Sequence, residues 1–366
     1  MKSKSLLFLI LSLPLLSAAN INSRSLVKPK SIILFIGDGM GVAQVTAAVM
    51  NGVGDNFLRF PRGGLVLIRS SDSWITDSAS SATAMAAGRR TYNRAIGVDD
   101  NKTPLKSVFE YAEEKGMSTG LVATSSVTHA TPASFATHVD SRYKELEIAR
   151  QLSESQVDVI IGGGMKYFLP KSEDGERKDN RNLLMEMKGR GFSVITDMHD
   201  LVSLDIEKVD KLIALLMFEE IDKENHPEQN LADMTEAAIK LLKKNDNGFF
   251  LMVEGSQIDW EAHDNEYGKM LFQLSDFNDA LGVALDYSSI IDDLLIVVTA
   301  DHETGGLTLL EGKRRNSGFK PKWSTHGHTG NLVPILAVGP GSDRFGGILN
   351  VDEIGRIFIS LIESRE

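Results

Sequence analysis

Residues 294–302 read LLIVVTADH, and this stretch decides the fold. Leu294 to Val298 are apolar without polar alternation, the pattern of a strand buried on both faces. Asp301 and His302 follow directly, where such a strand would end. Residues 249–253, FFLMV, repeat the arrangement and run into Glu254; residues 32–36, IILFI, run into Gly37-Asp38-Gly39. Further strands are expected at 64–68, 119–124, 157–161, 212–217 and 334–338. Helical periodicity falls at 79–87, 105–115, 141–154, 182–189, 234–244, 270–287 and 351–362. Strand and helix thus alternate along the chain, which predicts an α/β protein with a mostly parallel central sheet and helices on both faces. Active sites of such sheets lie at the carboxyl ends of the strands, where these polar clusters sit.

The N-terminus reads differently. Lys2 and Lys4 precede the apolar run 6–16, and Ser17, Ala18 and Ala19 offer small residues for cleavage, so residues 1–19 are expected to be a signal peptide. A run of about 11 residues is too short to span a bilayer, which takes roughly 20, so no membrane anchor is expected. Residues 20–366 would form a single catalytic domain, exported to the periplasm or the medium. The net charge is −11, and loss of Lys2 and Lys4 makes it more negative still. Such a surface repels nucleic acid, and it would repel phosphate esters too unless the site carried its own positive charge. Metal ions could supply it. The chain has no Cys, which excludes disulfides, cysteine-based zinc sites and thiol catalysis.

Of the eight histidines, His199 and His226 lie in polar, loop-like sequence and carry no assigned role. Asp259 and His263 are four residues apart, on one face if that stretch is helical, and carboxylate oxygen with imidazole nitrogen suits zinc. Asp301-His302 offers a second pair. A single such pair is often coincidence, but two of them, with Asp38 and Glu254 at two more strand ends, point to a metal cluster. Thr76-Asp77-Ser78 opens a helix of small residues that Gly88 ends. Ser78 there lies in the field of unsatisfied N–H groups, where an anion is stabilised. Gly37–Gly41 lacks both the dinucleotide spacing and the phosphate-loop lysine, and residues 162–164, GGG, read as a tight turn. Residues 311–322 read as an inserted surface loop.

At these residues the sequence resembles the alkaline phosphatase family. Its blocks are GDGMG at 37–41, TDSASSATAMAAG at 76–88, TYNRAIGV at 91–98, HATPASFATHVDSR at 129–142, EGSQIDWEAH at 254–263, TADHETGG at 299–306 and HGHTG at 326–330. The resemblance implies hydrolysis of phosphate monoesters at alkaline pH, through a phosphoserine on Ser78. It implies two zinc ions, one held by Asp259, His263 and His328 and one by Asp38, Asp301 and His302. A third ion, magnesium in the usual pattern, would be held by Asp38, Thr131 and Glu254. Arg142 matches the arginine that grips the phosphoryl oxygens, with Asp77 orienting it. His129 and Trp260 stand where some members carry Asp and Lys, near the third metal and the phosphate. Members are commonly homodimers, although residues 311–322 are short for a large dimer-forming insertion.

Three other readings fit parts of this pattern. A phosphodiesterase or sulfatase would share the two-metal site, but those relatives typically use Thr or a modified Cys as nucleophile. A non-catalytic phosphate- or metal-binding protein would not need Ser78 and Arg142. A structural protein would not need buried ligands.

Overall fold

A computed structural model describes residues 28–313 and 318–365. The expected signal peptide, residues 1–19, lies outside the described residues. Among the described residues there are fourteen strands: β1 Ser31–Gly37, β2 Arg62–Leu67, β3 Ser118–Ser126, β4 Val159–Gly163, β5 Phe192–Ile195, β6 Lys211–Leu215, β7 Phe249–Gly255, β8 Leu294–Thr299, β9 Glu303–Thr304, β10 Thr308–Lys313, β11 Gly318–Lys322, β12 His328–Thr329, β13 Val333–Val338 and β14 Gly347–Asn350. Ten of them form one sheet in the order β14-β2-β13-β8-β1-β7-β3-β4-β6-β5. Every pairing in it is parallel except those of β13, which runs antiparallel to β8 and β2. The α/β architecture, with helices packed around a mostly parallel sheet, is as the sequence implies.

The central strands β1, β7 and β8 are buried along their whole length. Covered on both faces, they need no polar side, which is why their sequences do not alternate. Helices pack their apolar stripes against this sheet, the longest being Tyr267–Tyr287. No helix among the described residues is long and apolar enough to cross a membrane.

Some expectations are corrected. The helix predicted at 141–154 begins only at Glu145, so Arg142 lies in the loop before it rather than on its first turn. Gly162 and Gly163 belong to β4, and only Gly164, at φ +88°, makes the turn. Of the stretch read as a surface loop, residues 311–313 and 318–322 lie in two antiparallel strands, β10 and β11. Strands β5 and β14 have little signature in the sequence: each has four residues, is incompletely buried and sits at a sheet edge.

One helix contact bears directly on the site. The C-terminal helix Val351–Glu363 starts with a capping box, Asn350 and Glu353, and crosses the end of helix Ser78–Ala87. A Cβ at Gly355 would lie 2.5 Å from the Gly88 nitrogen and 2.6 Å from the Met85 oxygen, backbone atoms that have no room to give. Gly355→Ala is therefore expected to cost about 1–3 kcal/mol of stability through overpacking, read as a lower urea midpoint. Gly268, where an added Cβ meets nothing within 4 Å, should accept Ala with no loss. Equal effects at the two positions would show that the helix crossing is not close-packed.

Candidate active site and its metal-binding groups

The parallel register brings the acidic residues together. Ile36 pairs with Glu254 of β7 on one side and with Thr299 of β8 on the other. Asp38 and Asp301 therefore each lie two residues past a common level, at the ends of neighbouring strands about 4.8 Å apart, with Glu254 at that level on the next strand. All three are fully buried. Short loops then fix individual oxygens. Asp301 Oδ1 accepts from the Gly39 amide at 3.2 Å and the His302 amide at 2.9 Å. Glu254 Oε2 accepts from Ser256 Oγ at 2.5 Å and Ser125 Oγ at 3.2 Å.

The serine comes from helix Ser78–Ala87. Asp77 is its N-cap, with Oδ1 accepting from the Ser80 amide at 3.0 Å. Ser78 Oγ lies 3.3 Å from His302 Nε2, and that nitrogen lies 3.3 Å from both Asp38 Oδ1 and Asp301 Oδ2. Asp77 Oδ2 accepts from the Arg94 amide at 3.0 Å and stands 3.5 Å from Arg142 Nη1. The Arg142 amide donates to the Arg94 carbonyl at 2.8 Å, so this loop holds the arginine beside the helix start. Arg142 Nη2 meets His129 Nε2 at 3.0 Å, and the His129 ring stands edge-on to Trp260, with centroids 6.2 Å apart.

Helix Gln257–His263 places Asp259 and His263 on one face, as their spacing implies, with His263 Nε2 3.4 Å from Asp259 Oδ2. His328 Nε2 lies 3.2 Å from His263 Nε2. The Nδ1 atoms of both histidines face backbone carbonyls: His328 meets that of Thr76 at 2.9 Å, and His263 meets that of His326. A carbonyl only accepts, so Nδ1 carries a proton in both rings and Nε2 is the atom turned to the site. His326, the neighbouring histidine, thus contributes its carbonyl, and His328 its ring.

Three groups of donor atoms lie close enough to hold an ion: Asp259, His302 and His328; Asp38, Asp301 and His302; and Asp38, His129 and Glu254. Each group's donor atoms lie within 4.8 Å of one another. Buried polar atoms without a partner are rare, yet both oxygens of Asp38, Glu254 Oε1, Asp301 Oδ2, Thr131 Oγ1 and His129 Nδ1 are all in that state. Burial, with Asp301, Asp259 and Glu254 nearby, pushes the Asp38 carboxyl well above the usual range. Burial raises Glu254 to about 7, and burial with Asp259 raises Asp301 to about 6. Burial works against Asp259 as well, but the hydrogen bond to His263 and the nearby His302 outweigh it and hold that carboxyl below its usual range. That same hydrogen bond raises His263 to about 9. Burial keeps His302 neutral, and burial with Arg142 alongside lowers His129 to about 3. Unpartnered oxygens and neutral imidazoles fit divalent cations. All three groups mix carboxylate oxygen with imidazole nitrogen, which suits zinc, and Thr131 beside Glu254 would add a further oxygen to the third, which suits a harder ion.

All thirteen residues singled out in the sequence fall in this one region. The supporting partners, the carbonyls of Thr76 and His326 and the amide of Arg94, are not legible in the sequence, because backbone groups leave no trace in residue identity. A family profile described as alkaline phosphatase matches residues 29–320. Alkaline phosphatase 4 of Bacillus subtilis is 32% identical, over 92% of this chain and 89% of that protein. The alkaline phosphatase of the Antarctic bacterium TAB5 has a TM-score of 0.84 at 39% identity, over 93% of this chain and 100% of that one. A variant of that Antarctic enzyme with one histidine changed to aspartate, solved with magnesium in its M3 site, gives a TM-score of 0.83 at 38% identity, over 93% and 99% of the two chains. Matched by the profile over most of its length, and by relatives across nearly the whole of both chains, this chain belongs to the alkaline phosphatase family, enzymes that hydrolyse phosphate monoesters.

Proposed function

We propose that the enzyme works through a phosphoserine on Ser78, with two zinc ions and a third ion, taken as magnesium. The observation that carries this reading is the place of the Ser78 hydroxyl. It stands at a helix N-terminus, 3.3 Å from the ring of His302, which belongs to two candidate metal groups at once. In this reading Asp259, His263 and His328 hold the first zinc, and Asp38, Asp301 and His302 the second. Asp38, Thr131 and Glu254 hold the third ion. When bound, the ions supply the positive charge that makes an alkoxide available near neutral pH and offsets the charge of the phosphoryl oxygens.

The chain's own residues do the rest. Arg142 turns its fork from His129 to two phosphoryl oxygens, and Asp77, 3.5 Å away, keeps the guanidinium beside the helix start. Ser78 Oγ attacks phosphorus in line, and the bond to the ester oxygen breaks as the alcohol leaves. Water then attacks from the vacated side, the Ser78 Oγ–phosphorus bond breaks, and phosphate departs. The sequence of residues 1–19 supports export, so the substrates would be esters met outside the cytoplasm.

Ser78→Ala should keep the fold and lose at least about a thousandfold in kcat, with no acid-stable phosphoenzyme. Quenching the wild-type enzyme with labelled ester and mapping the peptide tests this, and a label on any residue other than Ser78 overturns it.

Removal of metal should destabilise the protein as well as inactivate it, because Asp38, Glu254 and Asp301 would then face one another uncompensated. Binding at about 100 times Kd stabilises by about 2.7 kcal/mol per site, so about 8 kcal/mol for three, and each kcal/mol moves Tm by roughly 1–2 °C in a chain this large. A chelator should therefore lower Tm by at least about 5 °C, and zinc should restore it. An unchanged Tm would show that these groups hold no ion.

His129 bears on the third ion. We infer that it corresponds to the histidine replaced in the magnesium-bound Antarctic variant, since the sequence places it where other members carry Asp. His129→Asp would add a carboxylate beside Asp38 and Glu254, so magnesium affinity should rise about tenfold and activity should become magnesium-dependent. Magnesium titrations on the two proteins decide it, and coincident curves would remove His129 from the third site.

A further inference from the structure

Thr304 is fully buried, and nothing in the proposed reaction requires it. Its hydroxyl touches one side chain from each zinc group. Oγ1 donates to Asp259 Oδ1 and lies 3.1 Å from His302 Nδ1. Its backbone is equally fixed. The Thr304 amide donates to the Gly39 carbonyl at 3.1 Å, its carbonyl accepts from Gln44 Nε2 at 2.9 Å, and it pairs with His328 across the β9–β12 ladder. Gly39, at φ +70°, closes the space above: a Cβ there would lie 2.8 Å from Asp259 Oδ1 and 2.9 Å from Thr304 Oγ1. The hydroxyl therefore has no other partner to turn to.

A hydroxyl has one proton to give. Asp259, a carboxylate with His263 Nε2 at 3.4 Å and His328 Nε2 at 3.8 Å, is the acceptor of that proton. Towards His302 the same oxygen can then only accept, which requires a proton on Nδ1. The His302 lone pair is thereby confined to Nε2, the atom 3.3 Å from Ser78 Oγ, Asp38 Oδ1 and Asp301 Oδ2. His263 and His328 have their tautomers fixed by backbone carbonyls. His302 is the one of the three whose Nδ1 depends on a side chain.

We propose that Thr304 is a positioning residue that fixes the His302 tautomer and links the two zinc groups through the chain His302 Nδ1–H to Thr304 Oγ1–H to Asp259 Oδ1. This rests on the assignment of Asp259 and His302 as metal ligands. Partners of this kind typically change metal affinity about ten- to a hundredfold when removed.

The tautomer is read directly in the wild-type chain by ¹⁵N-histidine NMR, with the His302 signals identified by their loss in His302→Asn. Nδ1–H with an unprotonated Nε2 is expected in the metal-free protein, and a proton on Nε2 there would overturn the proposal. Zinc affinity, measured by competition with a chelator, supplies the second readout. Thr304→Val keeps the shape and removes the hydroxyl, and should weaken zinc binding about ten- to a hundredfold. Thr304→Ser restores the hydroxyl and should bind zinc as the wild type does. If His302→Ala loses zinc while Thr304→Val does not, the positioning role fails and the ligand assignment stands. If His302→Ala binds zinc as the wild type does, both fail together. Should Thr304→Val not fold, the NMR measurement on the wild-type chain still decides.

Discussion

Repulsion among Asp38, Glu254, Asp259 and Asp301 is the constraint around which the structure is arranged. Two carboxylates about 5 Å apart repel by about 3 kcal/mol even at an effective dielectric constant near 20, and these four are buried. No lysine ion pair relieves them among the described residues. Arg142, the guanidinium at hand, faces His129 and Asp77 instead. A fold that gathers such charge in its core is stable only if a cation joins it or protons neutralise it, and raised carboxyls at Asp38, Glu254 and Asp301 are the second outcome. The proposed metals are the first. Folding and metal binding are then one equilibrium.

The sheet holds that charge without sharing its strain. Strands β1, β7 and β8 are apolar and buried throughout, so their positions are set by packing well before the first carboxylate is reached. Their common register then delivers Asp38, Glu254 and Asp301 to nearly one level. The serine arrives on a separate helix, tied to the same loops by Ser81 Oγ donating to the Asp301 carbonyl at 2.7 Å. Nucleophile and metal groups therefore have independent scaffolds joined at few points, a precise arrangement for a reaction that asks for little besides position and charge.

What the sequence made legible follows from this division. Unbroken apolar runs gave the central strands, since strands covered on both faces have nothing else to be. Titratable residues directly behind such runs gave the site, since parallel strands end on one side. The Asp259/His263 spacing gave a helix face that the structure has. The misreadings lie where packing is weak or partners are backbone. The half-buried edge strands β5 and β14 carry little periodicity, and residues 141–144 read as helix because the polar and apolar spacing of 145–154 extends into them by chance. Thr304 carries no signal in the sequence, because a buried threonine is ordinary until its two neighbours are known.

The pairing of Arg142 with His129 has a consequence for turnover. A guanidinium held by a carboxylate in bidentate fashion would lose charge-assisted bonds, about twice as strong as neutral ones, before it could turn to phosphate. Here its short contact is with an imidazole that burial, reinforced by Arg142 itself, holds neutral, its conjugate acid titrating at about 3. Asp77, the nearby carboxylate, stands at 3.5 Å and already accepts from the Arg94 amide and, through its other oxygen, from Ser80. Arg142 is thus aimed by a charge it does not fully engage and parked against a neutral ring that it can leave cheaply. Trp260, edge-on to that ring, limits how far the imidazole can swing. On the proposed mechanism the arginine must take up phosphate and release it in every cycle, and weak parking of this kind favours speed of exchange over tightness of binding.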